Sequence, residues 1–244
     1  MQATTPILVA DGLHKRFGAL VVLDGVDLSI GEGEALGIVG PNGAGKTTLL
    51  SVLAGAQPPS AGSIRFKDDD VTRLGAPARC RRGLARTHQI PRPFSGMTVF
   101  ENVYVAASQA GGASGDEAYD IATDALAQCD MLKVANRPAE TLGLLARKRL
   151  ELARALATRP SLLLLDEIGG GLTNAEADDL VATIRVLRRR GISIVWIEHI
   201  VQVLVQVAER LICMDAGKII ADGAPQAVLS DKGVVAAYLG GAPA

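Results

Sequence analysis

Paired cysteines, a long apolar run and a strong net charge of either sign are all missing from this chain of 244 residues. Its three cysteines, Cys80, Cys129 and Cys213, lie far apart and show no spacing suited to a metal. Such a sparse, odd set fits a reducing compartment and excludes a disulfide scaffold. No apolar stretch approaches the ~20 residues that a bilayer crossing requires. The most apolar helical candidate, Ile200 to Ala208, is interrupted by Gln202 and Gln206. Any membrane role is therefore expected to pass through partners. Met1 to Pro6 lacks the basic-then-apolar order of a secretory leader, so none is expected there. The formal net charge of -1 offers no global attraction to nucleic acid or to an anionic membrane. Local basic runs do occur, at Arg79, Arg81, Arg82 and Arg86, at Arg147 to Arg149 and at Arg188 to Arg190. They read as solvated helix faces, and no nucleic-acid partner is expected. Internal repeats, low-complexity tracts and sustained heptads are absent as well.

What is present is an ordinary globular composition, 48% hydrophobic and 21% charged, which supplies a core and excludes wholesale disorder. Ala35 to Val39 is a short apolar run that stops at a glycine-rich turn, and Lys46 to Leu53 has helical spacing. Ser161 to Leu165 reads as a strand buried on both faces, Asn174 to Arg190 as a helix, and Ile192 to Ile197 as a β-branched strand. This alternation predicts an α/β fold with a mostly parallel sheet. The first thirty residues and Ser63 to Lys67 alternate between apolar and polar and are punctuated by glycine and proline, which predicts antiparallel strands. From about Pro91 to Thr158 the chain reads as largely helical, with a loop at Gly111 to Gly115, as an insertion between core strands.

Gly40-Pro41-Asn42-Gly43-Ala44-Gly45-Lys46-Thr47-Thr48 carries the phosphate-loop pattern between a predicted strand and a predicted helix. Glycines let the backbone wrap closely around phosphate oxygens, and successive N–H groups with the helix N-terminus face the anion. Lys46 supplies a mobile cation for the β- and γ-phosphates, and Thr47 a hydroxyl ligand for Mg2+. A second acidic site follows the strand Leu162 to Leu165, at Asp166-Glu167. Acids at the carboxyl end of a parallel strand face the ligand crevice. Asp166 suits Mg2+ through water, and Glu167 suits a general base that polarises an attacking water.

With these elements the chain resembles the ATP-binding subunits of ABC transporters across nearly its full length. The resemblance implies a P-loop ATPase core, an N-terminal antiparallel β subdomain and an inserted helical subdomain. One domain would span 1–244, its core at about 1–90 and 159–244 and its helical part at about 91–158. It places Phe17, otherwise a core residue, against adenine. Gln89 falls in the glutamine loop, where it senses the γ-phosphate and Mg2+. His199 corresponds to the switch histidine, which contacts the γ-phosphate and steadies Glu167. Gly83 to Gln89, Met97 to Val103, Ile197-Glu198-His199 and Ala237-Tyr238-Leu239-Gly240 are similar to the branched-chain amino acid uptake branch, some members of which serve amides, urea or organic acids. The implied partners are a second, non-identical ATP-binding subunit, two membrane permeases and an external solute-binding protein. The implied location is cytoplasmic, peripheral on the inner face of the membrane.

The sequence departs from the family pattern just ahead of Ala153-Arg154-Ala155-Leu156. The signature segment falls at Leu142-Gly143-Leu144-Leu145-Ala146, where only the leucine is retained and the helix is expected to start near Arg147. Leu144 and Leu145 cannot replace a glycine at close phosphate approach, and Gly143 offers no hydroxyl. An asymmetric dimer is one expectation; two working sites built on backbone amides at Gly143 to Leu145 are the other. Gly169 to Asn174 also departs modestly from the usual dimer-contact loop. Two further classes are compatible with the motifs: a soluble ABC ATPase acting on DNA or ribosomes, and a nucleotide-binding regulatory subunit without catalysis.

Overall fold

The computed structural model describes residues 5–240. Residues 1–4, part of the N-terminal stretch read above, lie outside them. Strand β1 (Pro6–Phe17) turns back into β2 (Leu20–Gly31), and their antiparallel pairing carries several register shifts. After β3 (Ala35–Val39) and helix α1 (Lys46–Leu53), β4 (Ala61–Phe66) pairs with the other edge of β1, and β5 (Asp69–Asp70) with β4. These four strands form one antiparallel sheet in the order β2-β1-β4-β5.

The second sheet positions the site. Helix α2 (Ala76–Arg81) leads into β6 (Leu84–Arg86), and a helical stretch follows. It comprises α3 (Val99–Val105), a π-helical turn at Ala106–Ala110, α4 (Gly115–Gln128) and α5 (Leu144–Leu156). The chain then alternates β7 (Leu162–Asp166), α6 (Asn174–Arg189), β8 (Ser193–Ile197), α7 (Val201–Leu204), β9 (Arg210–Asp215) and β10 (Lys218–Gly223). Short helices α8 (Pro225–Leu229) and α9 (Lys232–Gly240) end it. The six-stranded order is β10-β9-β3-β8-β7-β6, parallel throughout except for the antiparallel edge strand β10.

Strands β3, β7 and β8 are buried at every position, as their unbroken apolar runs require. Their period of two sends alternate residues to separate cores. Leu162, Leu164, Val195 and Ile197 pack with α1 and the antiparallel sheet. Leu163, Leu165, Ile194 and Trp196 pack with α5, α6 and the helical stretch. Each fully buried leucine contributes about 1.5–3 kcal/mol of transfer free energy, so four in a row anchor β7 firmly. Helices α3 and α6 start at capping boxes, Thr98 with Glu101 and Thr173 with Glu176.

Four expectations need correction. Helix α5 starts at Leu144, not near Arg147, because Leu-Leu-Ala are good helix formers and Gly143 adopts the extended N-cap conformation (φ -69, ψ 173). The loop at Gly111 to Gly115 is shorter by one residue, since Gly115 opens α4. Ile200 to Ala208 is helical only over Val201–Leu204, and its alternating valines explain why. The basic runs are not uniformly solvated. Arg79 and Lys148 are buried, while Arg81, Arg82, Arg147, Arg189 and Arg190 are exposed. Consecutive helical residues point about 100° apart, so a run of three cannot share one face. Among the described residues, no helix is long and apolar enough to cross a membrane.

Candidate nucleotide site

The loop that follows β3 is shaped by two glycines. Gly40 has φ +143, and a Cβ there would lie 2.1 Å from the Met214 carbonyl oxygen. Gly45 has φ +100, and its Cβ would lie 2.7 Å from the Val22 carbonyl oxygen. Both positions therefore demand glycine. No side chain caps the N-terminus of α1, so its first amides face the cleft. Asn42, Gly43, Ala44, Gly45, Lys46, Thr47 and Thr48 line a cleft of about 230 Å³ that Val22, Glu167 and His199 complete. Lys46 is buried, and its Nζ donates to the carbonyls of Gly40 (2.6 Å) and Pro41 (2.9 Å). Burial holds its ammonium below the ordinary lysine pKa, against the opposing pull of Glu167 first, then Cys213 and Asp166.

The acids come from the carboxyl end of β7. Asp166 is buried and pairs in register with Ile197. Its Oδ1 accepts from the Thr47 hydroxyl at 3.4 Å, and its Oδ2 accepts from Arg86 Nη2 at 2.7 Å. The chain then bends sharply: Glu167 has φ +50, and its N–H donates to the Ile197 carbonyl at 2.9 Å. That left-handed turn swings the Glu167 carboxylate into the cleft. Oε1 meets His199 Nε2 at 2.7 Å, and Oε2 accepts from Gln89 Nε2. One carboxylate thus joins residues from the ends of β6, β7 and β8. A hydroxyl (Thr47) facing a carboxylate (Asp166) is a hard-oxygen pair of the kind Mg2+ takes together with phosphate oxygens and water. Among the described residues, no cluster of three or more His, Cys, Asp or Glu could hold a metal by itself.

Other sequence candidates lie apart. Phe17 is 46% exposed at the end of β1, beside exposed Leu20 and Val21, so it is no core residue. Lys15 Nζ stands 4.9 Å from its ring centroid. Leu142 is buried and Leu144 exposed; Gly143 to Ala146 line a separate cavity with Asp130, Arg149 and Glu176. Arg86, three residues before Gln89, was hidden inside a basic run. Its contact with Asp166 shows only in three dimensions.

A further contact links the start of the loop to the far end of the chain. The Gly40 N–H donates to the Tyr238 hydroxyl of α9 at 2.8 Å. Removing that acceptor costs about 1 kcal/mol of pre-organisation, since a neutral hydrogen bond is worth about that much. Tyr238→Phe is therefore expected to raise the KM for ATP about fivefold and leave kcat unchanged. Steady-state kinetics check this; a fall in kcat at constant KM would contradict it.

This arrangement, a phosphate loop on the central strand of a parallel sheet beside paired acids, is matched by the family comparisons. Residues 23–169 match the model described as ABC transporter, and residues 218–244 match that described as branched-chain amino acid ATP-binding cassette transporter. The chain belongs to the ABC transporter family, as one of its ATP-hydrolysing cassettes. It is 36% identical over 250 residues to the high-affinity branched-chain amino acid transport ATP-binding protein BraF of Pseudomonas aeruginosa, covering 96% of this chain and 98% of that one. It is also 33% identical over 233 residues to the lipopolysaccharide export system ATP-binding protein LptB of Escherichia coli K12, with coverages of 96% and 97%. Among solved structures, the ADP conformation of MJ1267, an ATP-binding cassette of an ABC transporter, superposes with a TM-score of 0.87 at 30% identity. That match covers 97% of this chain and 100% of that structure.

Proposed function

We propose that this chain energises an importer of branched-chain amino acids or a related small polar solute. The observation that carries the solute class is the match of residues 218–244 to the branched-chain model, the stretch that brings Tyr238 to Gly40. Residues 1–244 act as one ATP-binding domain, with about 91–158 as a helical subdomain. Lys46 and the loop amides hold the phosphates, while Thr47, Asp166 and Gln89 hold Mg2+. Glu167 is the hydrolytic base, steadied by His199. The exposed ring of Phe17 stacks on adenine, which requires Lys15 to move aside.

The partners are a second ATP-binding subunit of different sequence, two permeases and an external solute-binding protein. The chain sits on the inner face of the membrane through the permeases. A cleft of about 270 Å³ beside β6, lined by Ala85, Val105, Ala106 and the half-exposed Phe94, gives a permease segment an apolar seat. The dimer is asymmetric. This chain's own pocket is complete, but the Leu142 to Ala146 segment that it offers its partner lacks the signature hydroxyl and glycines. The side chain of Leu144 is exposed, which supports this reading, since a phosphate held there would need open backbone.

The test is reconstitution in proteoliposomes with the neighbouring ATPase, permeases and binding protein. ATP-dependent uptake of labelled leucine, isoleucine or valine is expected. The similarity to LptB favours a second reading, an export system. Uptake of none of these solutes, with ATP hydrolysis intact, would decide for that reading or for another solute.

A further inference from the structure

Two buried ionisable side chains have no part in the site as described. Glu198 (2% exposed) directly follows β8, one residue before His199, and Lys148 (4% exposed) is buried in the second turn of α5. Both approach the loop that leaves Glu167. The Gly169 N–H donates to Glu198 Oε1 at 2.5 Å, and the Trp196 indole N–H donates to the same oxygen at 3.3 Å. A Cβ on Gly169 would lie 2.7 Å from that oxygen, so the carboxylate rests against the bare backbone. From the other side, Lys148 Nζ donates to the Glu167 carbonyl at 3.4 Å.

Burial pushes the Glu198 carboxyl up and the Lys148 ammonium down, while each opposes the shift of the other. A lone buried charge at either position would be costly, so each of the two offsets the burial cost of the other. The backbone between them has a reason to be held. Glu167 is a non-glycine residue at φ +50, a conformation that costs on the order of 1–2 kcal/mol and persists only where its surroundings enforce it.

We propose that Lys148 and Glu198 are positioning residues for Glu167, clamping its carbonyl and the Gly169 amide so that its carboxylate stays in the cleft. Because Lys148 belongs to α5, which begins at Leu144, the clamp also ties the segment offered to the partner to this chain's own hydrolytic loop. The inference rests on Glu167 as the hydrolytic base.

Lys148→Met and Glu198→Val are each expected to lower kcat about tenfold, with the KM for ATP within twofold of the unsubstituted protein. Glu198→Gln, which keeps an acceptor for Gly169, should recover kcat to within threefold. Since both act on one loop, the double variant Lys148→Met/Glu198→Val should lose less than the product of the two singles. Glu167→Gln, measured alongside in the full complex, separates the two ideas. If it retains turnover, the assignment of the base is wrong. If it is inactive while Lys148→Met and Glu198→Val keep the original kcat, the clamp is wrong. A KM that rises in step with a falling kcat also counts against the clamp. Lys148→Met carries the test should Glu198→Val fail to fold.

Discussion

Glu167→Gln in this chain alone is expected to slow ATP turnover of the assembled complex by a factor of about 10² or more. A positioned general base contributes about 10²–10⁴-fold, and glutamine keeps the shape of glutamate without its basicity. The geometry makes this substitution informative. Gln89 Nε2 donates to Oε2 and His199 Nε2 meets Oε1, so the carboxylate is held at both oxygens and keeps a further lone pair on each for water. The substituted amide can still accept at one of these positions, so ATP binding should change little. If the dimer is asymmetric as proposed, with the partner's site capped by Leu142 to Ala146, the matching substitution in the partner subunit is expected to leave most of the activity. Single-subunit substitution with phosphate-release kinetics reads both outcomes. If Glu167→Gln leaves more than half of the turnover, the asymmetry runs the other way or does not exist.

Arg79→Met is expected to destabilise the fold by about 3–5 kcal/mol, although Arg79 touches no ligand. Its guanidinium is fully buried and donates to four carbonyls: Leu74 at 2.9 Å, Val52 at 2.8 Å, Leu53 at 2.7 Å and Thr72 at 3.1 Å. Burial lowers its pKa to about 10, against the attraction of Asp70, so it remains charged at neutral pH. Val52 and Leu53 lie at the carboxyl end of α1, where a cation also meets the negative end of the helix dipole. Methionine fills a similar volume but removes the donor from the Leu74, Leu53 and Thr72 carbonyls, while Val52 still accepts from the Gly55 N–H at 3.1 Å; each lost partner costs about 1–3 kcal/mol before water or backbone shifts recover part of it. A chain of this size loses about 2–4 °C in Tm per kcal/mol, so a fall on the order of 10 °C should accompany it. Urea unfolding gives the free energy directly, with the slope m expected to hold. A loss under about 1 kcal/mol would mean that the carbonyls are readily rehydrated. Because α1 carries Lys46 and Thr47, ATP is expected to raise the Tm of the variant and of the unsubstituted protein alike.

The strands, the phosphate loop and the acid pair were legible because each is a local pattern. Leu162 to Leu165 could hardly be other than a strand buried on both faces, and the glycines between Gly40 and Lys46 declare a close backbone approach. The failures share a physical cause. Arg79 and Lys148 sit inside basic runs, and sequence counts charge without knowing which helical azimuth faces the core. A buried arginine satisfied by carbonyls leaves no acidic partner in the sequence to betray it. Arg86, Glu198 and Tyr238 act across 80, 29 and 198 residues respectively, distances over which no periodicity speaks. The early start of α5 was missed because the family pattern, rather than the helix propensity of Leu144 to Ala146, set the expected boundary.

The place of β3 at the centre of its sheet has a consequence in time. Both of its neighbours, β8 and β9, come from far along the chain: Ile38 pairs with Ile197 on one side and with Ile212 on the other. At about 5–20 residues per second, on the order of 10–30 s separate the synthesis of this strand from that of its first neighbour. Throughout that interval the nascent polypeptide carries an apolar ribbon with two open edges, and the phosphate loop at its tip has no frame to hold it. Nucleotide therefore cannot serve as an early folding template here. Whatever shields the strand on the ribosome, by chaperone or by transient cover from β1 and β2, must release it before the pocket can exist.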